Sequence, residues 1–270
     1  GMSLFDAVAH SFTTISTGGF STHDLSFAYF ESHSILLIAI IFMILGSFPF
    51  LVLAKTNIKN PFAAFKDHQV KIFLLLLFIS ICLIYFFAQK YLIGSEIQKI
   101  IIISFNTISI ISGTGFISEN FEGWGNYAST LFLILMFIGG CAGSTTGGIK
   151  IFRFQILLKY IAIHLKKMLQ PHAVIASHFN GRKIQDSTYE SVMIFFFIYI
   201  LTFAFSALLL SFSGLDFLTC FSAAASAISN VGPGLGEIIG PKGNYGSLTS
   251  YTKIILIFTM FLGRLEMLTI

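Results

Sequence analysis

Three short glycine-bearing loops recur along this 270-residue chain, each between two hydrophobic segments. They read Ser16-Thr17-Gly18-Gly19-Phe20, Ser112-Gly113-Thr114-Gly115-Phe116 and Ser229-Asn230-Val231-Gly232-Pro233. Each follows a short, apolar, Ser/Thr/Ala-rich stretch of half-helix length. A serine (Ser16, Ser112, Ser229) stands three positions before Gly19, Gly115 and Gly232 in turn. Glycine adopts dihedrals that other residues avoid, so such a loop can turn its carbonyls toward a shared axis. A ring of carbonyls replaces the water shell of a cation, as in a selectivity filter. The repeat therefore points to an ion pore; unrelated turns between helices would not share flanks and sidedness in this way.

The surrounding sequence suits a bilayer. Only 10% of residues are charged and 55% are hydrophobic, whereas a soluble domain carries roughly a quarter charged residues. Segments 34–54, 72–88, 127–149, 191–213 and 251–270 approach the ~20 apolar residues of a membrane crossing, which predicts five crossings. Lysines 55, 59, 66 and 71 fill one connecting loop, and seven Lys/Arg lie between Lys150 and Ser187, including Arg153, Lys166, Lys167, Arg182 and Lys183. The glycine-loop side carries Lys90, Lys99, Lys242 and Lys253. Positive-inside bias puts the two basic loops in the cytosol, so the glycine loops enter from the outer face. The net charge of +4 is thereby read as topology and contact with anionic lipid, not as nucleic-acid binding.

The segments form a repeat of membrane helix, re-entrant half-helix, loop and membrane helix. Residues 1–54 supply a partial unit that lacks its first helix, residues 68–165 a complete one, and residues 187–270 another. The half-helices are expected near 97–111 and 216–229. The predicted fold is an all-α membrane protein with these units arranged pseudo-fourfold around a cation pore. Non-helical backbone at membrane depth needs cover from protein or a water-filled cavity, so the loops should face one another. Half-helix C-termini aimed at the axis favour a cation. Three units leave a gap for a fourth, and the chain is expected to be truncated at both ends.

The run from Gly139 to Lys150 superficially suggests a phosphate loop. Ile149 stands where lysine is required, however, and no Ser/Thr follows it. The better reading is a helix unwound by Gly139, Gly140, Gly143, Gly147 and Gly148, with Lys150 at its cytosolic end; a glycine-rich packing face is the alternative. Arg264 lies about 21 Å into the last helix, past the midplane, where a charge faces a cavity or a partner. Residues two apart do not share a helix face, which argues against a local pair with Glu266. Asp6, Asp24, Glu119, Glu122, Asp216 and Glu237 read as solvated charges on the outer side, and the seven histidines as surface residues without metal spacing. Cys82, Cys141 and Cys220 form no disulfide framework. No G-x-S-x-G elbow or H-E-x-x-H is present, so enzyme chemistry has no foothold.

In order, Thr17-Gly18-Gly19-Phe20-Ser21-Thr22-His23-Asp24, Gly139 to Lys150, Asn230-Val231-Gly232-Pro233-Gly234-Leu235-Gly236 and Gly263-Arg264-Leu265-Glu266 resemble the TrkH branch of the Trk/Ktr/HKT superfamily, the Trk-type potassium uptake proteins. The resemblance covers nearly the whole chain; the first repeat and the opening helix of the second are the parts it lacks. It implies K+ contacts at Thr17, Gly18, Gly19, Gly113, Thr114, Gly115, Asn230, Val231 and Gly232. It also implies an intramembrane gate at Gly139 to Gly148 and a pore-narrowing role for Arg264. Potassium would be the transported ion, with no cofactor. The implied setting is a homodimer in the bacterial inner membrane, with a cytosolic nucleotide-binding regulatory subunit of the TrkA type on the basic loops. A carrier coupling K+ to Na+ or H+ is the alternative, and a membrane-embedded enzyme a more distant one.

Overall fold

The computed structural model describes residues 1–30, 32–56, 64–170, 178–179 and 182–266. Ten α-helices account for most of these residues. They are α1 (Leu4–Ile15), α2 (His33–Gly46), α3 (Phe50–Leu53), α4 (His68–Ala88), α5 (Glu96–Ile111), α6 (Asn126–Met136), α7 (Ile151–Leu169), α8 (Asp186–Ser211), α9 (Phe217–Ser229) and α10 (Ser250–Arg264). The two-residue strands β1 (His178–Phe179) and β2 (Arg182–Lys183) pair antiparallel between α7 and α8.

Helices α4 and α8 have 21 and 26 residues, or about 32 and 39 Å of rise, enough to cross a ~30 Å hydrocarbon core. Both are strongly apolar yet mostly unburied. Leu75, Phe78 and Phe86 on α4, and Phe197, Ile200 and Phe205 on α8, face outward. The core helix of a soluble protein would bury those side chains; a lipid-facing helix need not.

The other predicted crossings are broken or short. The 34–54 segment stops at Gly46, bends through Ser47 and Phe48, and restarts after Pro49 as the one-turn α3. Proline withholds an N–H and disfavours helical geometry before it, which accounts for the bend. The 127–149 segment keeps helix for only 11 residues, and the last helix ends at Arg264. The stretch after Lys150 is no loop, as its basic residues suggested, but the 19-residue α7, which buries Ile151, Gln155 and Ile156.

The three half-helices form because each has an N-terminal cap and a glycine-bearing stop. Ser3 and Ser95 make capping boxes with Asp6 and Gln98, and Asp216 accepts the Thr219 N–H at 3.1 Å, satisfying donors that a helix start leaves open. The central half-helix α5 packs on α2 and α4, and α9 on α8 and α10. From Phe105 to Ile111 every residue of α5 is buried, as is every residue of α9 from Ser222 to Ser229. In α1 only His10 and Thr14 are buried, and Leu4, Phe5 and Phe12 lie open.

Candidate functional site

Each half-helix runs into a loop of the same backbone shape. The first residue of each candidate triplet is left-handed, at Thr17 (φ 50°), Gly113 (66°) and Asn230 (55°). So is the third, at Gly19 (69°), Gly115 (80°) and Gly232 (110°). The middle residues Gly18, Thr114 and Val231 are not. Left-handed geometry is costly for threonine, a β-branched residue, and less so for asparagine. The geometry repeats in all three loops, but the strain falls on Thr17 and, more weakly, on Asn230, and strain of that kind accumulates at functional sites.

The loops abut through their backbones. A methyl group on Gly19 would lie 1.6 Å from the Thr114 carbonyl oxygen, and one on Gly115 would lie 1.9 Å from that of Val231. Loop one thus seats on loop two, and loop two on loop three. Between loops three and one lies an open cavity of about 640 Å³, lined by Ser16, Thr17 and Gly18 on one side and by Asn230, Val231, Gly232, Tyr245 and Met260 on the other, with Arg264 also in its lining.

A hydroxyl six residues before the third triplet position braces each loop. Thr13 Oγ1 donates to the Phe20 carbonyl at 2.9 Å, and Ser109 Oγ to the Phe116 carbonyl at 2.7 Å. Ser226 Oγ instead accepts the Gly232 N–H at 3.0 Å. Loop three has further supports: Tyr245 donates to the Gly232 carbonyl at 2.7 Å, Tyr199 bonds Ser229 at 2.7 Å, and Asn230 Nδ2 donates to the Met260 carbonyl at 3.2 Å. Of these bracing residues only Ser229 and Asn230 belong to a loop motif; for Thr13, Ser109 and Ser226 the shared spacing was there to be read.

The glycine-rich break from Gly139 to Gly148 lies against all three loops. Thr145 Oγ1 is 3.1 Å from Thr17 Oγ1 and 3.2 Å from the Ile15 carbonyl, which accepts from it. A methyl on Gly147 would meet the Ser229 carbonyl oxygen at 2.2 Å, and one on Gly113 would lie 3.3 Å from the Gly147 nitrogen. The break closes on itself where Gly139 N–H donates to the Ile149 carbonyl at 2.9 Å and Gly140 N–H to Thr146 Oγ1 at 3.0 Å. Gly143 and Gly148 take left-handed geometry at 78° and 67°.

Lys150 does not mark a helix end at a surface. It is 5% exposed and precedes α7 directly. Its ammonium donates to the Thr146 carbonyl and, at 3.1 Å, to Thr146 Oγ1. Arg264 Nη1 donates to the Thr145 carbonyl at 3.1 Å. Glu266 pairs elsewhere, with Arg153 Nη2 at 2.6 Å and Lys150 Nζ at 4.0 Å. Sequence reasoning set aside the Arg264–Glu266 pair on spacing, but missed Arg153, which lies 113 residues from its partner.

Two outer-side expectations also need correction. Glu122 is no free charge: its Oε1 accepts the Gly236 N–H, tying loop two to the segment after loop three. His10 is buried, with Nδ1 2.7 Å from the Asp6 carbonyl and Nε2 2.9 Å from Ser21 Oγ. Hydroxyls of Thr22 and Ser3 hold the Asp6 carboxyl down to about 2, while burial raises that of Glu119. Among the described residues no cluster of His, Cys, Asp or Glu could hold a resident metal.

Half-helices whose C-termini converge in interlocked, uncharged loops, beside long apolar helices that stand open at the surface, are the architecture of a membrane protein. The sequence matches the cation transport protein family TrkH over residues 1–270, and the chain belongs to that family. It is 40% identical, over 100% of its length, to the Trk system potassium uptake protein TrkI of Halomonas elongata, and 36% identical to the TrkH protein of Vibrio parahaemolyticus. The crystal structure of the potassium transporter TrkH from Vibrio parahaemolyticus superposes with a TM-score of 0.91 at 35% identity, covering 100% of this chain and 58% of that one. The chain spans 55% and 56% of the two curated relatives' lengths. The all-α membrane fold expected from sequence is thus the fold found, and the relatives are transporters, not enzymes.

Proposed function

We propose that this chain carries the second, third and fourth pore units of a bacterial potassium uptake system, over residues 1–54, 68–165 and 187–270. Potassium enters from the outer face, loses water at Thr17 to Gly19, Gly113 to Gly115 and Asn230 to Gly232, and passes below them under control of the Gly139 to Gly148 break. The observation that carries this reading is the left-handed pattern shared by three loops whose backbones interlock. The names of the relatives supply the ion. Gly139, Gly140, Gly143, Gly147 and Gly148 give the break its freedom to move, while Lys150 and Arg264 hold it and set a positive potential beneath the loops, which opposes cation passage until they shift. A fourth unit occupies the side of the 640 Å³ cavity between loops three and one. We place the pore in the inner membrane as a homodimer, with anionic lipid and a TrkA-type nucleotide-binding subunit on the basic cytosolic face, no nucleic acid and no cofactor.

The test is rubidium and sodium uptake in potassium-uptake-deficient cells, with this 270-residue chain and with its gene extended upstream. Rubidium-favouring uptake by the extended form supports the reading. Equal uptake of both ions, or none with the protein present in the membrane, overturns it.

A further inference from the structure

We infer that Glu266 is the latch that holds the Gly139–Gly148 break in its closed position; the inference rests on the gate reading above. Local physics opposes a glutamate at this place. It follows the C-terminus of α10 in left-handed geometry, at φ 49°, where glycine is the usual residue. Its carboxylate also sits at the negative end of the helix dipole, where a cation is favoured. The site sets both costs against contacts made far away in the chain.

Those contacts reach Lys150 and α7, where the chain leaves the break. Arg153 Nη2 reaches Glu266 Oε2 at 2.6 Å, and Lys150 Nζ lies 4.0 Å from Oε1. Arg153 stands in the first turn of α7, with its guanidinium 3.8 Å from the Phe195 ring centroid on α8, a cation–π seat that fixes its direction. Lys150 grips the break itself through Thr146. Arg264, two residues before Glu266, holds Thr145. One carboxylate therefore balances three cations that converge under the break. A polar cavity of about 220 Å³ lies among Ser144, Gly147, Lys150, Arg264 and Glu266, so the closed break is not packed solid against α10. With the carboxylate neutralised, Lys150, Arg153 and Arg264 repel one another without an anion between them. The break is then pushed off its seat under the loops.

The experiment uses the full-length uptake protein in potassium-uptake-deficient cells, with two readouts. One is rubidium uptake. The other is maleimide labelling of Cys141, a buried cysteine inside the break, after every other cysteine of the full-length protein, Cys82 and Cys220 included, is replaced by serine. Glu266→Gln is expected to raise rubidium uptake on the order of 5- to 10-fold, the size of an ordinary coupling between two sites, and to expose Cys141. The swap Arg153→Glu with Glu266→Arg should return both readouts toward the parent. If Glu266→Gln fails to reach the membrane, Glu266→Ala removes the same carboxylate with a smaller side chain. Unchanged labelling in these variants at parental abundance overturns the latch, whatever uptake does. Raised labelling with unchanged uptake keeps the latch and sinks the gate reading instead.

Discussion

Each glycine loop takes one brace from its own half-helix, a few residues away, whereas the Gly139–Gly148 break is pinned in addition from parts of the chain 73 to 130 residues distant. Thr13, Ser109 and Ser226 each brace a loop residue six or seven positions on. The break is held by Ile15, Gly46, Ser47, Gln69 and Arg264, across separations of 73 to 130 residues where a side chain is involved. Local braces form with the half-helix and persist while it does. Remote ones vanish when elements shift relative to one another. The same residue type, glycine, thus serves a locally braced shape in one region and a remotely pinned one in the other.

The sharpest way to break this contrast is to add one methyl group in each region. Gly115→Ala places it 1.9 Å from the Val231 carbonyl oxygen in left-handed backbone, whereas Gly143, also left-handed, has nothing within 4 Å. Gly115→Ala should abolish rubidium uptake, a loss of more than about 100-fold, because backbone cannot yield there without parting two loops. Gly143→Ala pays only the cost of its dihedral, about 1 kcal/mol, and should keep uptake within about tenfold of the parent. Equal losses in the two variants, at equal membrane abundance, would erase the distinction.

Next in size is the break itself. Deleting Gly143 and Ser144 removes the tip that carries Thr145 and Gly147 under the loops. Uptake should rise several-fold, about 3- to 10-fold, if a held obstruction is lost, with the rubidium-to-sodium preference unaltered because the braces above remain. A fall in uptake, or a change of ion preference without a rise, would show the two regions to be one rigid body.

Gly232→Ser separates shape from space within loop three. The nearest atom to an added carbon is the Gly115 Cα at 4.0 Å, so there is room, but φ is 110°. The serine must shift the backbone toward an ordinary dihedral, which turns the carbonyl that Tyr245 holds. Rubidium preference over sodium should fall about 5-fold or more, with uptake retained. Unchanged preference would remove Gly232 from the candidate filter.

The half-helices were legible in the sequence almost to the residue. The stretches expected at 97–111 and 216–229 are α5 from Glu96 and α9 from Phe217. Their caps and stops are local chemistry at Ser95, Asp216, Gly113 and Asn230, which a sequence displays directly. What it hid was tertiary. Tyr245 on the Gly232 carbonyl, Glu122 on the Gly236 N–H and Arg153 on Glu266 depend on distant parts of the chain meeting. The basic residues of α7 suggest a loop because they outweigh the buried Ile151 and Ile156 in composition, while the packing of Ile156 with Tyr189 and Val192 of α8 is tertiary.

The smallest expected effect concerns a charged brace in loop one. Asp6 joins the start of α1 to the far limb of loop one: its carboxylate accepts from Thr22 Oγ1 and Ser3 Oγ, both at 2.7 Å, and lies 3.5 Å from His23 Nε2. A carboxyl held down to about 2 from 3.8 contributes stability above pH ~4, and that contribution fades as pH falls from there toward 2. Between external pH 7 and 5 this brace should therefore stay intact. Asp6→Asn keeps the cap acceptor but loses the charge, and should lower uptake by no more than about twofold. Loops two and three are tied to their far limbs by uncharged bonds, Asn106 with Ser118 and Ser222 with Leu235, so a large loss in Asp6→Asn would mean that loop one is the weakest-held of the three. That outcome fits the exposure of α1 and would move the boundary between fixed and releasable structure up into the candidate filter itself.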